Sequence, residues 1–228
     1  MKPKQFWTWF QDNQEKIYIL PLLTKEEQND LYYWLKKHLD YYCKGLGFKI
    51  SFAKDYHGTA TLAITAYGVK ELFPKVIELV EAAPKVDNWK FEAFIKEKEN
   101  QNLDHPYKFG NLEINVKDLS FQPVKYIKST GKIIIHIYFD KKNPSSRRDR
   151  RLGSATVTER SRSEGGESNP MNNKALNIAI TFILEDLLGE VLLYSKIKKF
   201  KLYKNKRNRS ITYKLTHLKI YLSLLNQN

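Results

Sequence analysis

Residues 60–95, ATLAITAYGVKELFPKVIELVEAAPKVDNWKFEAFI, change their hydrophobic period twice. Leu62, Ile64 and Ala66 alternate with Thr61, Ala63 and Thr65, the period of two that marks a strand. Leu72, Phe73, Val76, Leu79 and Val80 then recur at helical spacing until Ala83-Pro84 ends the run. Trp89, Phe91, Ala93 and Ile95 return to alternation. Strand, helix, strand is one crossover unit. The predicted fold class is therefore α+β: an antiparallel or mixed sheet of about five or six strands with helices packed on it.

Toward the N-terminus, Phe48, Ile50 and Phe52 alternate with Lys49 and Ser51, and Asp55-Tyr56-His57-Gly58 reads as a hairpin turn leading into the crossover. Before it, Thr24-Lys25-Glu26-Glu27 is a capping box: the Thr24 hydroxyl accepts from the Glu27 amide, and Glu27 reaches back. Leu31, Trp34, Leu35, His38, Leu39 and Tyr42 follow on one helical face, which Gly45 terminates. Trp34 and Trp89 are expected in the core. Phe6-Trp7-Thr8-Trp9-Phe10 predicts a short aromatic helix to about Ile17. Trp7 and Trp9 are two residues apart and do not share a helix face, so one of them is expected at the surface.

Toward the C-terminus, Lys96 to Gly110 is polar and reads as a loop, and Leu112, Ile114 and Val116 suggest a strand. Ile133 to Phe139 is β-branched on both faces and is expected to be central. Asn172 or Asn173 caps a helix carrying Leu176, Ile180, Ile183 and Leu187. Phe200 and Leu202 alternate with lysines in an edge-like last strand, and Thr216 is placed to cap a short helix through Leu225.

The chain of 228 residues is read as a single domain, and 42% hydrophobic content supplies a real core. Mean hydropathy is −0.55 and no apolar run nears the ~18 residues of a membrane span. The first residues form no secretory signal, and a lone Cys43 excludes a disulfide framework and a cysteine zinc cluster. A reducing, cytoplasmic location without membrane contact is expected.

The net charge of +14 is unevenly spread. Residues 191–228 carry +10 with no Asp or Glu, and residues 141–170 carry +4, which leaves the remainder neutral. All eight arginines lie at or beyond position 147. The segment 143–170 has no aromatic residue, cannot offset its ordering entropy, and is expected to be a disordered insertion loop. Its SATVTERSRS looks like the translation of a short dispersed repeat of bacterial genomes. An RNA-binding arginine arm is the sharper alternative, but Asp149, Glu159, Glu164 and Glu167 dilute its field.

Several short motifs occur in a characteristic order: Phe6-Trp7-x-Trp9-Phe10, Ile64-Thr65-Ala66-x-Gly68, Phe73-Pro74, Leu79-Val80, Ala83-Pro84-x4-Trp89-x3-Ala93-Phe94, and Leu184-Glu185-Asp186-Leu187-Leu188-Gly189-Glu190. In these the chain resembles an uncharacterised bacterial family, a domain of unknown function, from about residue 6 to residue 200. The resemblance implies no activity and no site residue.

Catalytic and cofactor signatures are absent from the sequence. No glycine pattern of a phosphate-binding loop occurs; Gly68 follows a strand and either permits a turn or opens an anion-binding helix start. His38, His57, His105, His136 and His217 are scattered without metal-ligand spacing, and His136 is expected on the less buried face of its strand. Glu185, Asp186 and Glu190 are the acidic cluster near an apolar helix. With Asp186 and Glu190 four apart on one face, they read as an acid/base or metal pair, or as partners of Lys196, Lys198 or Lys199. Lys199, Lys201, Lys204, Lys206, Arg207 and Arg209 form a basic strip. It guards a sheet edge or binds phosphate. No cofactor is expected. The leading expectation is a non-enzymatic binding or accessory protein acting on a protein partner. The alternative is a nucleic-acid-binding protein using residues 196–209, with at least weak nonspecific binding.

Overall fold

The structure is a computed structural model that describes residues 1–52, 58–98, 105–110, 112–139, 173–204 and 211–225. The expected insertion at 143–170, the turn at Asp55–His57, and Lys206, Arg207 and Arg209 lie outside the described residues. The fold is α+β. The chain divides into two compact units, Met1–Lys96 and Glu97–Asn228. Among the described residues the strands form three small sheets instead of one of five or six strands.

In the first unit, helix α1 (Pro3–Tyr18) is followed by α2 (Lys25–Tyr42). The predicted capping box opens α2: the Glu27 amide donates to Thr24 Oγ1, and the Thr24 amide donates to Glu27 Oε2 at 2.9 Å. The sheet has the order β1 (Gly47–Ser51), β2 (Ala60–Thr65), β3 (Trp89–Ala93). Strands β1 and β2 are antiparallel, and β2 and β3 are parallel across helix α3 (Phe73–Glu81), the crossover that residues 60–95 predict. Tyr67 (φ 49°) and Gly68 (φ 75°) turn the chain out of β2 through the left-handed region, so Gly68 serves the turn.

All four tryptophans belong to this unit. Trp7 is buried, and its indole N–H donates to the Leu79 carbonyl at 2.7 Å. That bond satisfies the one polar atom the ring would otherwise strand in the core. Trp89 is buried against Phe10, Phe91 and Tyr18 and donates to Gln14 Oε1. Trp9 is half-buried, stacked on His38 at 4.3 Å. Trp34 is not a core residue: it is 45% exposed. The buried line of α2 is Leu35 and Leu39, and Trp34 stands on the far edge of the stripe.

The second unit pairs β4 (Tyr107–Phe109) with β5 (Leu112–Ile114), so the polar segment read as a loop ends in a strand. A four-stranded sheet follows in the order β8 (Ile197–Tyr203), β7 (Lys132–Phe139), β6 (Leu119–Ile127), β9 (Tyr213–Lys214). Strand β7 is internal and β8 is an edge, as expected, but β8 is not the last strand. Strand β6 was not expected at all; its register shifts between Pro123 and Lys125, where a residue without an amide proton fits a bulge.

Helix α4 (Lys174–Leu188) is capped by Asn173, whose side chain accepts from the Leu176 amide. Helices α5 (Glu190–Lys196) and α6 (Leu218–Leu224) follow. Leu176, Ile180, Ile183, Leu184, Leu218 and Leu222 pack on one face of the sheet, on Ile133, Ile135, Ile137, Phe121 and Leu202. Thr216 does not cap α6; it lies inside a 3₁₀ turn, Leu215–His217, that leads into the helix. Among the described residues no helix is long and apolar enough to cross a membrane.

Candidate nucleic-acid interface

The register of the four-stranded sheet sorts its side chains onto two faces, because residues paired across strands point the same way. Ile133, Ile135 and Ile137 of β7 face the helices. Ile134, His136 and Tyr138 therefore face away from them. Three cross-strand rows run through these residues. Lys125, Ile134 and Lys199 form the first, Gln122, His136 and Lys201 the second. Lys214, Ser120, Tyr138 and Tyr203 form the third.

Lysines thus arrive on one face from three of the four strands. Lys125, Lys199 and Lys201 are exposed, as is Lys204 just beyond β8. The four strands together carry Lys125, Lys132, Lys198, Lys199, Lys201 and Lys214 and not one carboxylate. The tyrosines of the third row are buried and stacked on each other, 5.4 Å between ring centroids, and the Tyr138 hydroxyl donates to Gln122 Oε1 at 2.8 Å. The Tyr203 ring also lies 4.6 Å from that of His136 and its hydroxyl 3.4 Å from Nε2, which fixes the half-buried imidazole on the face. Tyr203 therefore does not point out into solvent, as the simple alternation with Lys199 and Lys201 suggests; it closes the end of the row.

The acidic cluster has a different character. Glu185, Asp186 and Glu190 are all buried. Gly189 (φ 72°) ends α4, so Asp186 and Glu190 stand in different helices instead of sharing one face, and Glu190 opens α5. There a carboxylate faces the favourable end of a helix dipole. Asp186 Oδ2 accepts from the Tyr107 hydroxyl at 2.8 Å and pairs with Lys98 Nζ at 2.7 Å, while its carbonyl accepts from the Lys98 amide. Glu185 accepts from the Tyr194 hydroxyl at 3.2 Å. Burial, followed by the neighbouring Asp186 carboxylate, pushes the Tyr107 phenol far above its usual range. That shift keeps Tyr107 protonated, as its donation to Asp186 requires.

One cation of Asp186 is thus Lys98, a residue remote in sequence. Among the described residues, no three His, Cys, Asp or Glu side chains converge as a metal-binding group. Asp186 ties Lys98 and the Tyr107 end of β4 to the end of α4.

The basic strip is brought partly together: Lys199 and Lys201 share the sheet face, and Lys204 follows them. Lys125 and Lys214 were not foreseen as members. The signal for Lys125 was present in residues 119–139, which carry no Asp or Glu. Comparison with protein-family models, with curated proteins and with solved structures returns no match.

Proposed function

We propose that this chain is a nucleic-acid-binding protein that holds a single strand against the lysine-bearing face of its second unit. The observation that carries this reading is the single sign of charge on the sheet: six lysines, no carboxylate. Edge protection explains a charged edge strand but works with either sign. It also gives no reason for Lys125 to join Lys199 and Lys201 on one face. A polyanion accounts for both. A sheet face presents no helix or ribbon to enter a duplex groove, whereas an unpaired strand can lie across it with its phosphates on the lysines. His136 is the ring placed among them for a base to contact.

The test is filter binding of a homopolymer of about twelve nucleotides, and of the corresponding duplex, across a salt series. On single strands the slope of log affinity against log salt is about −0.7 per neutralised phosphate. Reversing Lys125, Lys199 and Lys201 to Glu should therefore flatten the slope by about 2. Reversing Lys206, Arg207 and Arg209 tests the remainder of the basic strip separately. Equal binding by wild type and the first triple variant refutes the sheet-face reading, as does a preference for duplex.

A further inference from the structure

Helix α2 turns an unusual set of side chains away from its core line of Leu35 and Leu39. Tyr33, Trp34 and Tyr41 are 56%, 45% and 52% exposed. Large aromatic rings left in water are the residues most enriched at the centres of protein interfaces. These rings are also held in place. Lys37 Nζ sits 4.7 Å from the Trp34 ring, 5.3 Å from Tyr33 and 6.0 Å from Tyr41. Tyr33 meets Trp34 edge-on at 5.4 Å, and His38 lies between Trp34 and Tyr41 while stacked on Trp9.

The spacing of this face points to its occupant. At about 100° per residue, Glu26, Asp30, Tyr33, Trp34, Lys37 and Tyr41 fall within roughly 100° of arc, opposite Leu35 and Leu39. Both acids are exposed. The positions are symmetric about the point midway between Tyr33 and Trp34. Asp30 mirrors Lys37, Glu26 mirrors Tyr41, and Tyr33 mirrors Trp34. The stripe is acidic toward its N-terminal end, aromatic in the middle and basic beyond.

A stripe with this mirror order is complementary to itself when turned end for end. We infer that α2 is a self-association surface: a second copy of the chain packs its α2 antiparallel on the first across a two-fold axis at Tyr33/Trp34. In that arrangement Asp30 of each copy faces Lys37 of the other, and the Tyr41 hydroxyl of each faces Glu26. The four central rings stack across the axis. This is the isologous contact that a two-fold dimer requires. The helix dipoles also run in opposition. One helix of this length, about 27 Å, gives an interface at the small end of the specific range, so the dimer should be concentration-dependent.

Sedimentation velocity of the full chain from about 1 μM to about 1 mM spans the affinities such an interface supports. The wild type should move from the 26.9 kDa monomer toward twice that mass as concentration rises. Trp34→Ala, at an exposed position, should weaken association at least tenfold while far-UV circular dichroism is unchanged. Asp30→Lys alone and Lys37→Asp alone should each remain monomeric. Mixed together they should pair, because one copy then carries two lysines and the other two aspartates at the facing positions. The double variant Asp30→Lys/Lys37→Asp should recover self-association. A wild type that stays monomeric throughout overturns the inference. So does a dimer that survives either single charge change, or a pair of single variants that fail to associate when mixed.

Discussion

Asp186→Asn asks whether the buried acid of the second unit is structural or is kept at a cost for chemistry. The Asp186 side chain is 3% exposed and Lys98 is 41% exposed. The asparagine keeps the volume, still accepts from Tyr107, and loses its attraction for the ammonium. A hydrogen bond to a charged group contributes about 1.5–3 kcal/mol, and a neutral one about 1. Lys98 regains water readily, so the ion pair itself adds little beyond this. Asp186→Asn should therefore destabilise the second unit by about 2 kcal/mol. Tyr107→Phe, which deletes the donor and leaves Lys98 in place, should cost a similar amount. The two share one carboxylate, so the double variant should fall short of additivity by about 1 kcal/mol.

Urea unfolding of the full chain followed by far-UV circular dichroism provides the measurement. With a dependence of about 1–3 kcal/mol per molar urea, a 2 kcal/mol loss moves the midpoint down by roughly 1 M. An Asp186→Asn protein as stable as the parent, or more stable, would refute the structural assignment. That behaviour belongs to functional acids, whose removal relieves strain or like-charge cost.

The remaining expectations concern the first unit. Trp89→Ala should cost about 3–5 kcal/mol, as a buried ring, whereas Trp34→Ala should cost less than about 1 kcal/mol because its ring is half in water; paired urea midpoints check both. Burial, with Lys37 alongside, holds the His38 imidazole below its ordinary value, and its Nδ1 is buried without a hydrogen-bond partner among the described residues. The folded state therefore favours neutral His38. Its contribution is complete above about pH 6.5, the unfolded value, and is lost as pH falls through the lower folded value. Melting temperatures at about pH 5 and about pH 7.5 should differ more for wild type than for His38→Phe.

What the sequence revealed is mostly local. The Thr24–Glu27 box, the Asn173 cap and the Gly68 turn rest on residues a few positions apart, and each is found where its chemistry places it. The crossover at residues 60–95 and the internal position of β7 followed from period and branching. Partitioning into three sheets was not legible, because which strand pairs with which depends on contacts between distant segments. Trp34 was misplaced because a helical face of six residues is broader than the line that reaches a core. Strand β6 escaped notice because the bulge at Pro123 breaks its alternation. In the acidic cluster, residue types were visible but not their partners: Lys98 and Tyr107 reach Asp186 only through the fold. The lysine face was half visible, since the alternation of β8 could be read while the rows joining it to Lys125 could not.

The confinement of all four tryptophans to Met1–Lys96 has an optical consequence. Indole emission is a report on the first unit alone, while the second unit, with tyrosines only, is dark at wavelengths that excite indole selectively. The four indoles are also graded in their access to water, with Trp7 and Trp89 shielded, Trp9 intermediate and Trp34 open. An aqueous quencher such as iodide therefore extinguishes the light of α2 first and leaves the core emission standing. The chain carries, without any added label, a lamp in one half and a shutter on the helix face that bears Trp34.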